Sequence, residues 1–291
     1  MADRWPIAAF GDEIASDLED QVAVVQKNGV GALEIRSAWG INVVDLDREQ
    51  LQRARRILDA ADIAVSAVAS PVGKVPVDGD FDAELARLHA AISASKELGT
   101  PRIRIFSFFI PDGRHTEFRD EVLRRMSRFA AEAAANGVVL VHENESYIYG
   151  DDAEHCHDLV ESVGSPALRV AFDPANFVQV GVRPYDEAWP LLAPYVSHFH
   201  VKDAVTVDRA GEPPYPAKVA DLRLMASVRA AGEGEGQLEE LIVALDRQHY
   251  AGYLVIEPHL HFVLHELEPA GRFAVAVAAL RRVLSESALN G

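Results

Sequence analysis

Apolar strand-like runs and amphipathic helical stripes alternate along this chain from end to end, and that alternation is what most restricts its fold. Eight runs read as strands: Ile7 to Phe10, Ala32 to Arg36, Ala64 to Ala69, Arg102 to Phe108, Val138 to Glu143, Leu168 to Asp173, Val196 to His200 and Tyr253 to Glu257. Among them stand stripes at three-to-four spacing: Leu18/Val22/Val25, Leu51/Ala54/Leu58, Phe118/Val122/Phe129/Ala133, Leu238/Leu241/Leu245 and a closing Phe273/Val277/Leu280/Leu284. Strands separated by helices predict a parallel sheet. Eight of them predict a single α/β domain, a (β/α)8 TIM barrel over residues 1–291, with its active site at the C-terminal mouth of the strands. A chain of 291 residues with 49% hydrophobic content can bury such a core.

Local signals punctuate the pattern. Ser16 with Glu19 reads as a capping box opening the first helix, and Asn28-Gly29 and Asn136-Gly137 read as helix stops. A unit of helix, glycine, apolar strand and glutamate recurs, with Gly29, Gly137 and Gly252 preceding strands that finish at Glu34, Glu143 and Glu257. One connection, residues 203–236, is unusually long and shows no clear helix before Gln237. Loops of that length in a compact domain are usually functional or disordered, and this one predicts a flap over the mouth. Its Gly232-Glu-Gly-Glu-Gly stretch lacks the strand-turn-helix context of a dinucleotide fingerprint, so no nucleotide cofactor is expected. The stretch reads as a turn before the next helix, and its two glutamates favour a non-phosphorylated substrate.

Four strands end on side chains that bind metals: Glu143, Asp173, His200 and Glu257. Strand ends of a barrel converge on one mouth, so these four can meet as an O3N set. Period-two alternation puts Val139, Val141 and Glu143 on one side of their strand. It does the same for Ala171 with Asp173, His198 with His200, and Val255 with Glu257. Arg169 and His198 then point inward at deeper levels and need polar partners, while His142 faces the helices. A lone strand-end glutamate is usually a solvated loop residue; four at matched positions are a weaker fit to that explanation. Carboxylate and imidazole donors suit one Mn²⁺ or Mg²⁺, with Co²⁺ or Zn²⁺ as alternatives, better than they suit a cysteine-rich zinc site.

Bulk properties set limits. A net charge of −17 argues against a broad grip on nucleic acid phosphates. The single cysteine, Cys156, excludes an intrachain disulfide and a cysteine cluster. No run approaches the roughly 20 apolar residues of a membrane span, and a cytoplasmic protein is expected. The expected partner is a small sugar, with neither nucleic acid nor membrane, and assembly into a homo-oligomer is left open.

The segments Val141-His-Glu-Asn-Glu, Phe172-Asp-Pro-Ala-Asn-Phe, His198-Phe-His-Val-Lys-Asp and Val255-Ile-Glu-Pro-His resemble the xylose-isomerase-like TIM-barrel superfamily. That superfamily holds sugar isomerases, ketose epimerases, inosose dehydratases and endonuclease-IV-type apurinic endonucleases. Ala32-Leu-Glu-Ile-Arg, Ser70-Pro-Val-Gly-Lys and Arg102-Ile-Arg-Ile-Phe-Ser are similar too, so the resemblance spans nearly the whole chain. It implies that Glu143, Asp173, His200 and Glu257 ligate the metal and that Glu143 and Glu257 also serve as acid and base. Many relatives have His where this chain has Asn176, and Ser70-Pro-Val-Gly and Ile105-Phe-Ser-Phe lack the extra histidines of the multi-zinc endonucleases. One metal is therefore expected.

Glu34, Arg104, Lys74, Asn176 and Lys202 are the candidate substrate contacts, although Glu34 reads about as well as a surface residue and a strand-end lysine is usually one. Asn144 and Glu145, directly after the first ligand, are candidates for supporting it, and His259 and His261 for the rim. The expected reaction is enolisation of a keto or aldo sugar or a cyclitol by an isomerase or epimerase. The first rival is a lyase of the inosose-dehydratase or keto-glycoside type, which shares the first step; an apurinic endonuclease and a non-catalytic sugar-binding barrel rank below it.

Overall fold

The first strand, β1 (Ile7–Phe10), pairs in parallel with β2 (Ala32–Ile35) on one side and with the last strand, β8 (Leu254–Ile256), on the other. Between them run β3 (Ala64–Ala69), β4 (Arg102–Ile105), β5 (Val139–Glu143), β6 (Leu168–Phe172) and β7 (Val196–Val201), and the sheet closes as an eight-stranded parallel barrel. The structure is a computed structural model that describes residues 4–111, 113–206 and 222–290. The (β/α)8 expectation holds.

The helices are α1 (Leu18–Lys27), α2 (Arg48–Ala60), α3 (Phe81–Leu98), α4 (His115–Asn136), α5 (Ala153–Val163), the short α6 (Pro174–Gln179), α7 (Trp189–Leu192) and α8 (Leu222–Ser227), then α9 (Leu238–Arg247) and α10 (Pro269–Asn290). The five expected stripes lie on α1, α2, α4, α9 and α10. Their buried members pack on the outer face of the strands in one large apolar layer. The sequence reading lacked α3 and α5. The buried face of α3 is Leu88, Ala91, Ile92, Ala94 and Leu98, so alanine weakens its apolar contrast.

Cap geometry corrects one expectation. Asp17, not Ser16, caps α1, accepting from the Glu19 backbone N–H at 3.1 Å. Its carboxylate reaches the free N–H from one residue further along. Both predicted stops form: Asn28 is the C-cap of α1, and α4 ends on Gly137 with φ of 70°.

Inside the barrel, Ala8, Phe10, Ala32, Ala69 and Val255 form a small separate apolar cluster. Phe10 aside, these side chains are small, and much of the remaining interior is left to charged and imidazole groups. Register shifts fall beside two of those groups, between Leu33 and Glu34 and between Val170 and Ala171, as bulges do where a side chain is re-aimed.

The long connection after β7 is more ordered than its sequence suggests. Asp203–Ala204 pairs antiparallel with Val228–Arg229, and α8 precedes that pairing, so the absence of a helix before Gln237 is corrected. Helix propensity over its six residues is too short a signal to register. Residues 207–221 of the expected flap lie outside the described residues. The glycine run wraps a carboxylate: Asp203 Oδ2 accepts from Gly232 N at 2.9 Å and Gly234 N at 3.0 Å, and Oδ1 from Gly236 N at 2.8 Å and Ala204 N at 2.9 Å. Among the described residues, no helix is long and apolar enough to cross a membrane.

Candidate metal centre

Four strand ends deliver Glu143, Asp173, His200 and Glu257 to one point, each at most 3% exposed. One ligand atom from each lies within 4.8 Å of the others. His200 Nδ1 is central, 3.5 Å from Glu143 Oε1, 3.5 Å from Glu257 Oε2 and 3.8 Å from Asp173 Oδ2. His200 Nδ1, Asp173 Oδ2 and Glu257 Oε2 are buried without a hydrogen-bond partner. Burying unpaired polar atoms is costly, and three of them facing one another are the donor set that a divalent cation satisfies. The residues present fit the metal.

Each glutamate is held by its own arginine. Arg104 Nε lies 3.2 Å from Glu143 Oε2, and Arg36 Nη1 lies 3.0 Å from Glu257 Oε1, which leaves Glu257 Oε2 turned to the cluster. Arg36 is anchored in turn by Asp12 at 2.7 Å. Asn176 Nδ2 donates to Glu143 Oε1 at 3.2 Å, and Asn176 N to Asp173 Oδ1 at 2.9 Å. Asn144 clasps the backbone on both sides of Asp173, donating to its carbonyl and accepting its N–H, each at 2.9 Å.

Burial drives both glutamates upward, but their neighbours separate them. His200 and Arg104 pull Glu143 well below the ordinary carboxylate range. Glu257 stays raised, because burial and the nearby Glu143 outweigh Lys202 and His259. Lys202 is pushed up despite burial by Asp173 and Glu257, so it remains an ammonium.

The expected substrate contacts fall in two groups. Lys74, Arg104, Asn176 and Lys202 line a cavity of about 510 Å³ over the cluster, together with Glu143 and Glu257. Lys202 Nζ donates to Asn176 Oδ1 at 2.9 Å and sits 3.3 Å from Asp173 Oδ2. Lys74 spans the opening to Glu145 at 3.0 Å. Glu34 is placed elsewhere. It is fully buried and hydrogen-bonded to His198 Nε2, with Oε2 3.5 Å from His200 Nε2, so a substrate contact is replaced by a position beneath His200. That pairing also supplies the deeper His198 with the polar partner it needs.

His142 bonds to Ser107 Oγ at 2.9 Å and packs on Gly150, away from the cluster. His259 lines the cavity, with Nδ1 2.8 Å from Glu13 Oε1 and Nε2 3.5 Å from Glu257 Oε1; His261 is exposed beside a neighbouring cavity. Three residues were missed from sequence: Arg36, Asp12 and Glu13. Arg36 shares the parity of Glu34, and Asp12-Glu13 lie just past the C-terminal end of β1, at the same mouth as the four strand-end residues.

A closed parallel barrel carrying a carboxylate–imidazole cluster at its C-terminal mouth defines the class of protein. The chain belongs to the xylose isomerase-like TIM barrel family, whose model matches residues 22–282. No curated protein matches its sequence. Among solved structures it is similar to the probable 3-DHS dehydratase involved in petrobactin synthesis from Bacillus anthracis, at 17% identity over 94% of this chain and 98% of that one, with a TM-score of 0.72. It is similar to a xylose isomerase-like TIM barrel protein from Mycobacterium smegmatis in complex with magnesium, at 16% identity over 98% of each chain, with a TM-score of 0.69. A D-psicose 3-epimerase with D-tagatose from Clostridium cellulolyticum H10 gives 14% identity over 97% and 98%, with a TM-score of 0.68. At these identities the likeness is one of fold.

Proposed function

We propose that this chain is a divalent-metal-dependent isomerase or epimerase that enolises a non-phosphorylated keto or aldo sugar or a cyclitol. The observation that carries the reading is the buried meeting of Glu143, Asp173, His200 and Glu257, with three of their atoms left unpaired. A bound Mn²⁺ or Mg²⁺ would polarise a carbonyl and its adjacent hydroxyl, an effect worth several kcal/mol.

The protein groups divide the remaining work. Glu143 and Glu257 are the proposed proton carriers: Glu143, held low by His200 and Arg104, is the candidate base, and Glu257, raised by burial and by Glu143, the candidate acid. Arg104 and Arg36 fix the two carboxylates in place. Lys202, kept cationic, presents a donor to substrate oxygens along the cavity wall, and Asn176, bonded to Glu143 and Lys202, holds both in place. Glu34 and His198 buttress His200 from below, as outer partners do for ligating histidines. The net charge of −17 supports a small substrate over nucleic acid.

A lyase acting through the same first step is the second reading. The cavity has an apolar wall of Pro71, Phe106, Phe109, Leu224, Met225 and Val228, which suits a substrate carrying an apolar substituent or leaving group. A panel of ketoses, inososes and keto-glycosides in D₂O with added Mn²⁺ tests both. Deuterium next to the carbonyl in an isobaric product supports the isomerase, and loss of water or an aglycone supports the lyase. No deuterium incorporation and no elimination with any substrate, in protein shown to bind the metal, overturns both.

A further inference from the structure

A second cluster of metal-competent side chains lies outside the central site, where α4 and α5 begin. His115 opens α4, Asp151 ends the loop that follows β5, and His155 is in the first turn of α5. Both imidazoles aim a nitrogen at one oxygen: His115 Nε2 is 3.1 Å and His155 Nδ1 3.0 Å from Asp151 Oδ1. The rings stack face to face, with centroids 3.8 Å apart and planes 5° from parallel. The three ligand atoms lie within 4.8 Å of one another. Their side chains are 19%, 21% and 29% exposed, so water and ions reach them.

We propose that His115, Asp151 and His155 form a peripheral site for a divalent transition metal of the Zn²⁺ type, separate from the central cluster. Bonds of about 2.0–2.2 Å place neighbouring ligands of a tetrahedral ion ~3.3 Å apart, close to the nitrogen–oxygen separations seen here. One ring must turn to bring both lone pairs onto the ion, because two parallel planes cannot both contain it, and their partial exposure leaves room for that turn. The ion also displaces the proton that Asp151 and Asp152 favour on His155. Two helix N-termini would disfavour a cation, but Asp151 and Asp152 offset them, Asp152 Oδ1 lying 3.1 Å from His155 Nδ1. Solvent fills the remaining positions. The site ties the start of α4 to the loop between Glu143 and α5, and so stiffens one side of the mouth.

Chelator-stripped full-length protein titrated calorimetrically with Zn²⁺ tests this. Two equivalents are expected for the wild type, one for His115→Ala and for His155→Ala, and one for His200→Ala, which retains the peripheral ion. Affinity at this site should fall by more than the 10–100-fold that loss of an outer partner costs. Equal zinc counts in the wild type and both peripheral variants would overturn the proposal. His155→Gln, whose amide can still bond to Asp151, covers the case in which an alanine variant misfolds: placed in the His200→Ala background, it should keep the melting temperature of its stripped parent and lose the parent's rise with added Zn²⁺. An undiminished rise sinks the idea equally.

Discussion

Two buried carboxylates at the mouth of this barrel, Asp203 and Asp173, are treated in opposite ways. Both are at most 1% exposed. Asp203 has two backbone N–H donors on each oxygen. Asp173 has its Oδ1 on Asn176 N, while Oδ2 faces His200 and Lys202 without a hydrogen bond. A carboxylate saturated by the chain is finished and holds a loop in place. One left open among other open atoms depends on something from outside to complete it. The glycine run and the strand-end acids therefore divide a single task, since the first fixes the rim and the second keeps its bonding capacity for a ligand.

The sharpest way to break that contrast is at the open side. Glu257→Gln keeps the shape and a carbonyl oxygen for Arg36 but removes proton transfer. Turnover should fall by about 10²–10⁴-fold, while the melting temperature of the metal-free protein stays level because the shape and the contact with Arg36 are kept. A large loss of stability with activity intact would make the cluster structural. At the closed side the expectation inverts. Asp203→Ala strands four inward N–H groups and should cost about 3–5 kcal/mol in a urea unfolding curve. A cost under about 1 kcal/mol would show that solvent substitutes for the carboxylate, and the distinction would fall.

The open side was legible in the sequence because its signal repeats. Four apolar runs each end on a ligand type, and period-two alternation turns all four inward. The closed side was not legible. Its glycines bond to an aspartate about 30 positions earlier, and no local rule pairs a glycine turn with that residue. Glu34 and His198 are 164 positions apart, so parity can place both inside the barrel without showing that they touch. Arg36 was readable in principle from the parity it shares with Glu34. Helix α3 was not, because alanine packs like an apolar residue and is a weak one in a pattern.

A buried group is also a liability when it titrates, and His142, bonded through Nε2 but with Nδ1 unpartnered, sharpens the contrast at intermediate size. Burial pushes its imidazole down to about 4 against the pull of Glu143. Above pH ~6.5 it is neutral both folded and unfolded, and it adds no pH dependence. Between ~6.5 and about 4 the unfolded chain takes up a proton that the folded one refuses, so stability falls as pH falls. The full drop is roughly 3 kcal/mol. His142→Asn should flatten the urea midpoint between pH 7.5 and 4.5 relative to the wild type; parallel curves would mean that the histidine protonates in place.

The smallest expected effect is the most selective. A Cβ on Gly234 would meet Asp203 Oδ1 at 2.3 Å, Ala204 O at 2.5 Å and Ala204 N at 2.8 Å. Two of those three atoms are backbone, so they cannot swing aside, and Gly234→Ala should cost about 1–3 kcal/mol. Gly31 is the matched control, since a Cβ there meets nothing within 4 Å and its φ is not positive. Gly31→Ala should be neutral or stabilise by about 0.4–1 kcal/mol, through the unfolded chain. The difference between the two melting temperatures measures how tightly the loop closes on Asp203. If the two variants melt alike, Asp203 is only loosely held, and its four hydrogen bonds cannot be what separates it from Asp173.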